Sequence, residues 1–343
     1  VGTGHPNPLP QLISPADMPR WLQRWKSSDS LAITLLTSGE HPLKTRAVAL
    51  AVAVHGGVGV LPLPQDAGPE QNAAIRRALE HIFANPEIEK LLFDVKQAIH
   101  ALRPWGVALV PPFHDAMLAA YLLNPGSGTP QLEDVLKEAL GENFPAPQEV
   151  LALAEAAGWV EPPTGQRRLV SRGAHDAHSP FASAEEAVTA MARLADGLRR
   201  SWPTLWERMR HDELLRVYEE IEVQLAPVLA DMEYAGIRVD GDYLRAMSAE
   251  MDRRLIEMTH EIHRLAGEVF NLNSPRQLAV ILYEKLGLPV LKRTKTGPST
   301  DAEVLEELAE QHELPAALLG YRQLAKLKST YVDALPALVC PAT

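Results

Sequence analysis

Three cations lie close together in the stretch LGLPVLKRTKTGPSTDAEVLEEL, residues 286–308. Lys292, Arg293 and Lys295 fall within four positions, next to Gly and Pro residues that predict a loop. Lysine and arginine donate charge-assisted hydrogen bonds to phosphate oxygens, so this cluster suggests phosphate binding. A cluster of this kind is more often an ordinary solvated loop, and the residues around it must decide between the two interpretations.

Further groups suited to phosphate accompany the loop. The stretch YRQLAKLKST places Arg322 and Lys326 four positions apart, and therefore on one face of a predicted helix. Predicted helix N-termini near Ser274 and Thr300 present free backbone N–H groups. Aromatic residues do not alternate with these cations, which favours contacts to a duplex backbone over stacking on unpaired bases. Taken alone, these residues leave phosphate binding and a plain surface loop equally open.

The charge of the chain is unevenly distributed. The 343 residues carry 33 Lys and Arg against 44 Asp and Glu, a net charge of −11. Residues 270–300 nevertheless hold five cations and a single anion, Glu284. This segregation predicts a basic face among acidic ones, which the net charge conceals.

Composition also limits the class of protein. A single cysteine, Cys340, excludes an internal disulfide framework and a multi-thiolate zinc site. No apolar run approaches the roughly 20 residues of a membrane span, and the N-terminus does not resemble a signal peptide. We therefore expect a cytoplasmic protein that has no membrane partner.

The elements that must position these groups fall into two parts. All six tryptophans precede residue 207, which indicates a domain boundary near 208. Alternating apolar residues predict strands at 30–38, 46–54 and 57–64, and the apolar run at 91–93 suits another buried strand. Helical periodicity predicts helices at 16–26, 69–84, 95–103, 114–123, 131–140, 147–157 and 183–200. The first part is therefore α/β or α+β.

The second part is predicted to be nearly all helix. An apolar stripe recurs at helical spacing across 214–232, with a kink expected at Pro227. Two capping boxes, Ser274 with Gln277 and Thr300 with Glu303, predict the helices on either side of the basic loop. A last helix is predicted from about 315 to 331.

The stretches FNLNSPRQLAVILYEKLGLPV, PSTDAEVLEELA and YRQLAKLKSTYVDALPALV strongly resemble the thumb of bacterial family A DNA polymerases, the DNA polymerase I group. The preceding IEVQLAPVLADMEYAGIRVD resembles the helix and turn that lead into that thumb, so the resemblance covers about 213–339. In that family the thumb grips the minor-groove side of the primer–template duplex through its backbone. The resemblance assigns DNA-contacting roles to Asn271, Asn273, Ser274, Lys292, Arg293, Lys295, Ser299, Thr300, Arg322 and Lys326.

The family places a 3′–5′ exonuclease domain of ribonuclease H-like fold before the thumb, and residues 14–208 fit that place. HDAMLAAYLLNPG resembles a helix of that domain. An active exonuclease holds two metal ions with four carboxylates, because hard cations need anionic oxygens around the scissile phosphate. The resemblance implies that all four carboxylates are replaced, so we expect an inactive domain kept as a structural platform. The replaced positions are Thr34, Leu36, Ala98 and Leu194.

The motif RHDEL, residues 210–214, is similar to the His-Asp-Glu turn of the family's polymerase palm. It lacks flanking apolar strands and lies where a helix is predicted to begin. We therefore expect Asp212 to be a helix N-cap and not a catalytic residue.

The sequence thus predicts a flexible tail at 1–13, a degenerate exonuclease-like α/β domain at 14–208, and an all-α thumb with its lead-in helix at 209–343, truncated before the palm. The expected parent is a monomeric DNA-directed DNA polymerase of replication and repair, which uses Mg²⁺ and deoxynucleoside triphosphates. This portion is expected to grip primer–template duplex, to hold no cofactor or metal of its own, and to incorporate no nucleotide. Two alternatives stay open: a non-enzymatic nucleic-acid-binding or scaffolding protein complete at this length, and a working nuclease, which the missing carboxylates disfavour.

Overall fold

The computed structural model describes residues 10–14, 17–39, 41–64, 68–160, 180–295 and 297–340. The chain forms two compact units, residues 1–235 and 236–343. The sequence places the domain boundary earlier, between 208 and 209. The units divide later because Tyr218, Val223 and Ala226 pack into the core of the first unit. The expected order, an α/β unit followed by a helical one, is confirmed.

The first unit is built on a six-stranded mixed sheet with the order β1-β4-β3-β2-β5-β6. Strands β2, β3 and β4 pair antiparallel, whereas β5 pairs parallel with both β2 and β6, and β1 pairs parallel with β4. The strands are β1 (Gln11–Leu12), β2 (Ser30–Ser38), β3 (Arg46–Val54), β4 (Gly57–Pro62), β5 (Glu89–Leu92) and β6 (Phe113–Asp115).

Both faces of this sheet are covered, and β2 shows how the sequence supplies two cores. Successive side chains of a strand point to opposite faces. Leu31 and Ile33 therefore enter one core, while Ala32 and Leu36 enter the other. Thr34 lies on the same face as Leu36 and is 7% exposed. A polar residue thus occupies an otherwise apolar face of a central strand.

Helices flank the sheet on both faces. Their bounds agree with the predicted ones to within a few residues, except that α7 continues through Pro203 to His211 instead of ending near residue 200. The helices are α1 (Met18–Lys26), α2 (Pro69–Phe83), α3 (Val95–Leu102), α4 (Ala116–Leu123), α5 (Leu132–Leu140), α6 (Pro147–Ala156) and α7 (Pro180–His211).

Two predictions about the ends of this unit are wrong. The tail expected at 1–13 does not extend to Gln11–Leu12, which pair with β4, nor to Ile13, which is buried. Residues 1–9 of that predicted tail lie outside the described residues. Asp212 is not a helix N-cap: its backbone N–H donates to the Arg208 carbonyl in the turn that ends α7, and its carboxylate contacts His211.

The segment after that turn buries Tyr218 but leaves the later residues of its predicted apolar stripe exposed. It runs through α8 (Leu215–Val217), a π-helical turn at Tyr218–Glu222 and α9 (Val223–Ala235), with Pro227 inside α9. A π-helical turn shifts the hydrogen bonds to i→i+5 and so changes which side chains share a face. Val223, Ala226 and Ala230 are buried, whereas the predicted Leu225, Val228 and Met232 are exposed.

The second unit is helical apart from one short hairpin. Its core gathers Ile262, Leu278, Leu305, Leu314 and Leu318. None of the helices in the described ranges is both long and apolar enough to cross a membrane. The elements are α10 (Gly241–Ala266), α11 (Pro275–Ala279) with a π-helical continuation at Val280–Lys285, β7 (Arg293–Thr294), β8 (Gly297–Pro298), α12 (Ala302–Leu308), α13 (Glu313–Leu327) with a π-helical continuation at Lys328–Val332, and α14 (Ala334–Leu338).

Candidate nucleic-acid interface

The basic loop between α11 and α12 forms a β-hairpin. Strands β7 and β8 pair antiparallel, with Arg293 opposite Pro298 and Thr294 opposite Gly297. Arg293 and Lys295 are exposed, and neither forms an ion pair with another described residue. Position 296 of the hairpin lies outside the described residues. Two cations therefore project from a narrow element with their charge uncompensated by nearby acids.

Lys292 has a different environment from the two cations that follow it. Its Nζ lies 2.9 Å from Oδ2 of Asp301 and 3.3 Å from Oε2 of Glu303. These two carboxylates raise the pKa of Lys292, and the lysine holds the pKa of Asp301 at about 2. Lys292 thus fastens the start of the hairpin to the start of α12 while its side chain remains half exposed.

Ser299 and Thr300 are buried, at 5% and 7% exposure, where the hairpin runs into α12. The Ser299 amide donates to the Lys292 carbonyl at 2.9 Å, and the Ser299 carbonyl accepts from the hydroxyl of Tyr283. The capping box predicted at Thr300 and Glu303 is wrong by one residue. Asp301 is the N-cap, since its carboxylate accepts from the Val304 amide at 3.0 Å.

Arg322 and Lys326 lie one turn apart on α13, as predicted, but within the described residues only the side chain of Arg322 has a hydrogen-bond partner. The guanidinium of Arg322 donates to the Thr300 carbonyl at 2.6 Å, and burial lowers the pKa of Arg322. Lys326 is exposed and has no ion-pair partner among the described residues. Arg322 therefore supports the base of the hairpin.

The turn before α11 brings together the remaining predicted contacts. Ser274 is the N-cap, accepting from the Gln277 amide at 3.4 Å. Asn271 Oδ1 accepts from the Asn273 amide, and the Gln277 side chain accepts from the Asn271 amide at 2.8 Å instead of closing the predicted box. Asn271 and Asn273 are exposed and Ser274 is half-buried. Their unused amide donors are suited to neutral hydrogen bonds with a polar ligand.

The predicted exonuclease positions largely meet in one place. Thr34, Leu36 and Leu194 line a cavity of about 420 Å³ between β2, α7 and the loops that precede α3 and α5. Ala98 does not line it and is buried in the core on the other face of the sheet. Asp94, at the N-cap of α3, also lines the cavity. Three of the four positions named by the resemblance therefore lie at one cavity, and Ala98 lies outside it.

A two-metal centre does not fit the groups found there. Among the described lining residues Asp94 supplies the one carboxylate, and no group of three or more His, Cys, Asp or Glu was found anywhere in the described ranges. Asp196, which lies two residues beyond Leu194, is buried and paired with Arg199 at 2.7 Å. One carboxylate cannot replace the four that hold two hard cations.

Comparison with known proteins shows which family this chain is related to. The sequence model described as "DNA polymerase family A" matches residues 241–343, and the one described as "DNA polymerase I, ribonuclease H-like domain" matches residues 64–150. The chain belongs to DNA polymerase family A. The basic hairpin lies within the first match, and Asp94 lies within the second, whereas Thr34 and Leu36 precede it.

Curated relatives named DNA polymerase I are similar to this chain over most of its length. The one from Bacillus subtilis is 36% identical over 78% of this chain and 28% of its own length. The one from Pseudomonas aeruginosa is 32% identical over 97% of this chain and 35% of its own length. The thermostable one from Thermus aquaticus is 38% identical over 75% of this chain and 27% of its own length. The chain thus spans about a third or less of these relatives.

Among solved structures, the Pol1 polymerase domain of M. smegmatis, in complex with DNA primer–template and dNTP, superposes with a TM-score of 0.72. It is 26% identical, and the match covers 96% of this chain and 50% of that one. Both units of this chain therefore have counterparts in that polymerase domain.

Proposed function

We propose that this chain is part of a DNA-directed DNA polymerase of replication or repair, and that residues 236–343 hold primer–template duplex through its sugar–phosphate backbone. The proposal rests on one observation above all. Arg293 and Lys295 are exposed and have no ion-pair partner among the described residues, on a hairpin in the region that matches family A, although the chain carries a net charge of −11. Cations without acidic partners are the groups that phosphate oxygens attract most strongly.

The neighbouring side chains support a backbone grip over base recognition. Asn271 and Asn273 add exposed amide groups at the other end of α11, and Lys326 adds a further free cation on α13. Contacts to phosphate and sugar fix the position of a protein on DNA but carry no sequence information. The unit is therefore expected to bind duplexes of different sequence with nearly equal affinity.

A fluorescence anisotropy titration with labelled primer–template duplexes tests this proposal. The logarithm of the association constant should fall linearly with the logarithm of salt concentration, by about 0.9 for each phosphate neutralised. Two duplexes of unrelated sequence should give the same constant within about twofold at each salt concentration. A salt-independent constant, or a strong preference for one sequence, would contradict backbone binding.

The carboxylates that hold Lys292 should compete with duplex phosphate for that lysine. We expect Glu303→Gln to tighten duplex binding about two- to fivefold, because it frees Lys292 from one of its two anions, and exposed pairs of this kind are worth up to about 1 kcal/mol. Helix α12 should keep its cap, since Asp301 is unchanged. The anisotropy titration at low salt measures the effect.

Glu306→Gln provides the matched control on the same helix. Glu306 is exposed and has no ion-pair partner among the described residues, so its substitution changes the net charge equally without releasing Lys292. An equal gain in affinity from both variants would show that overall charge, and not the Lys292 pair, is responsible.

We also propose that the first unit has no 3′–5′ exonuclease activity. With Thr34, Leu36 and Leu194 lining the cavity, a divalent cation meets a single carboxylate among the described lining residues, that of Asp94. Purified protein should leave a labelled single-stranded oligonucleotide intact in Mg²⁺ or Mn²⁺, at the level of a chelated control. The double variant Thr34→Asp with Leu36→Glu should stay inactive because Leu194 still places an apolar group at the site. Metal-dependent shortening by the unaltered protein would show that another set of ligands exists.

A further inference from the structure

The cavity that contains the former exonuclease positions has the size and lining of a ligand site. Its volume of about 420 Å³ falls within the roughly 300–1,000 Å³ of small-molecule pockets. Leu36, Phe93, Leu151 and Leu194 supply apolar wall, and hydroxyl and amide groups are spaced between them. The uncharged polar lining residues are Thr34, Thr37, Ser38, Gln97, Thr129, Gln131 and Gln148.

The hydroxyl of Thr34 has no protein partner among the described residues. Its Oγ1 is buried, and the residue is 7% exposed. Leaving a buried polar atom without a hydrogen bond costs about 1–3 kcal/mol, and such atoms are rare in folded proteins. The isosteric valine would satisfy the same packing without this cost. An unpaired hydroxyl on a central strand that lines a cavity indicates a partner that is not part of the chain.

Asp94 is the charged residue among the described residues that line the cavity. Its Oδ1 accepts from the Gln97 amide at 2.9 Å, and no described protein group donates to Oδ2. Burial raises the pKa of Asp94, the Gln97 hydrogen bond and the charges of Lys96 and His100 oppose that rise, and Glu233 adds to it. The residue also holds φ at 62°, a conformation that few non-glycine residues adopt. A carboxylate is therefore held at the wall with Oδ2 open, and Oδ1, which accepts one hydrogen bond from the described residues, can accept a second.

These groups define the chemistry of the ligand. The described lining contains no Lys, Arg or His, so nothing there would neutralise a phosphate or a carboxylate. A carboxylate pairs best with a planar group that presents two parallel N–H donors. The apolar wall and Phe93 suit an aromatic body attached to that group.

We propose that this cavity binds a small aromatic molecule that carries a planar edge of two N–H donors and no anionic group, with Asp94 accepting from that edge and the Thr34 hydroxyl bonding the ligand. Two sources share this chemistry: an aryl amidinium, and the guanine base of a free nucleoside, whose N1–H and 2-amino group form such an edge. The inference does not depend on duplex binding by the second unit.

Ligand-detected saturation-transfer NMR with the full chain tests the proposal through matched probes. Benzamidine should bind at least tenfold more tightly than benzamide, and benzoate should not bind at up to about 5 mM. Guanosine should bind more tightly than inosine, which lacks the 2-amino group, and than guanosine 5′-monophosphate, which adds an anion. If benzamidine binds and guanosine does not, the ligand is an amidinium. If guanosine binds, the ligand is the guanine base. The proposal would be overturned if benzamidine and benzoate bound equally well, or if neither benzamidine nor guanosine bound.

Two variants separate a binding role from a structural one. Asp94→Gly should reduce benzamidine affinity at least tenfold while the chain stays folded, because glycine accepts φ of 62° and is a tolerated N-cap. Thr34→Val should reduce the affinity severalfold and yet raise the melting temperature by about 2–4 °C, since it removes an unpaired buried hydroxyl. A Thr34→Val protein that binds the probe as well as the unaltered chain would show that the hydroxyl does not face the ligand.

Discussion

Duplex affinity is expected to fall by about tenfold or more when Arg293 and Lys295 are both replaced by Glu. The two side chains are exposed and have no acidic partner among the described residues, so the substitutions should leave the fold unchanged. Each phosphate contact contributes about 0.9 to the slope of the logarithm of affinity against the logarithm of salt, so the slope should flatten by about 1.8. Anisotropy titrations at several salt concentrations measure both quantities.

The double variant Arg245→Glu with Arg253→Glu gives a control with the same change of net charge. Both arginines are exposed on α10 of the same unit, each paired with an acid three residues earlier. If this control lost as much affinity and slope as the hairpin variant, the loss would come from general repulsion, and the hairpin would have no special role. A hairpin variant that keeps the slope of the unaltered protein would equally reject the proposal.

Lys292 is left out of this variant for a structural reason. The sequence treats Lys292, Arg293 and Lys295 as one set, but the structure gives Lys292 two carboxylate partners on α12. Its replacement would therefore loosen the hairpin as well as remove a charge. No feature of the sequence marks this pair, because Asp301 and Glu303 read equally well as a helix cap and a first-turn acid.

Local patterns predicted strands β2, β3, β4 and β5 but missed the two edge strands, β1 and β6. The bounds of β2 and β3 agree with the prediction at both ends, because each is a run of apolar and β-branched residues bounded by turn residues. Helix α7 was predicted too short because Pro203 signals a helix end. Leu205 and Met209 continue the buried stripe beyond that proline, so packing against the sheet outweighs one lost hydrogen bond.

The candidate sites were only partly predictable. A helix-start pattern cannot tell which of two residues four positions apart faces a cavity, since that depends on how the helix packs against the sheet. The sequence therefore could not show that Asp94 lines the cavity while Ala98 is buried on the other face of the sheet. The unpaired state of the Thr34 hydroxyl likewise has no signature in sequence, because threonine is an ordinary strand residue.

The largest stability loss in the first unit is expected from Asp115→Ala. This buried carboxylate accepts from the amides of Val95 at 2.7 Å and Met117 at 2.9 Å, and more weakly from those of Asp94 and Leu118. It thus joins the N-termini of α3 and α4. Its removal leaves buried N–H groups without an acceptor, so we expect a loss of about 2–4 kcal/mol in the free energy of unfolding at pH 7. Urea denaturation measures it, and Asp134→Ala, an exposed first-turn acid on α5, should change it by no more than about 0.5 kcal/mol.

The same variant should differ more from the unaltered protein in mild acid. Burial raises the pKa of Asp115 to about 6, while its value in the unfolded chain is 3.8. A carboxyl group whose pKa is raised by folding stabilises the folded state fully below its unfolded pKa, and this contribution is lost as the pH rises through 6. Lowering the pH from 7 to 4.5 should therefore increase the difference between the two proteins by about 2 kcal/mol. A difference that shrinks in acid would mean that the amide donors outweigh burial and hold Asp115 ionised.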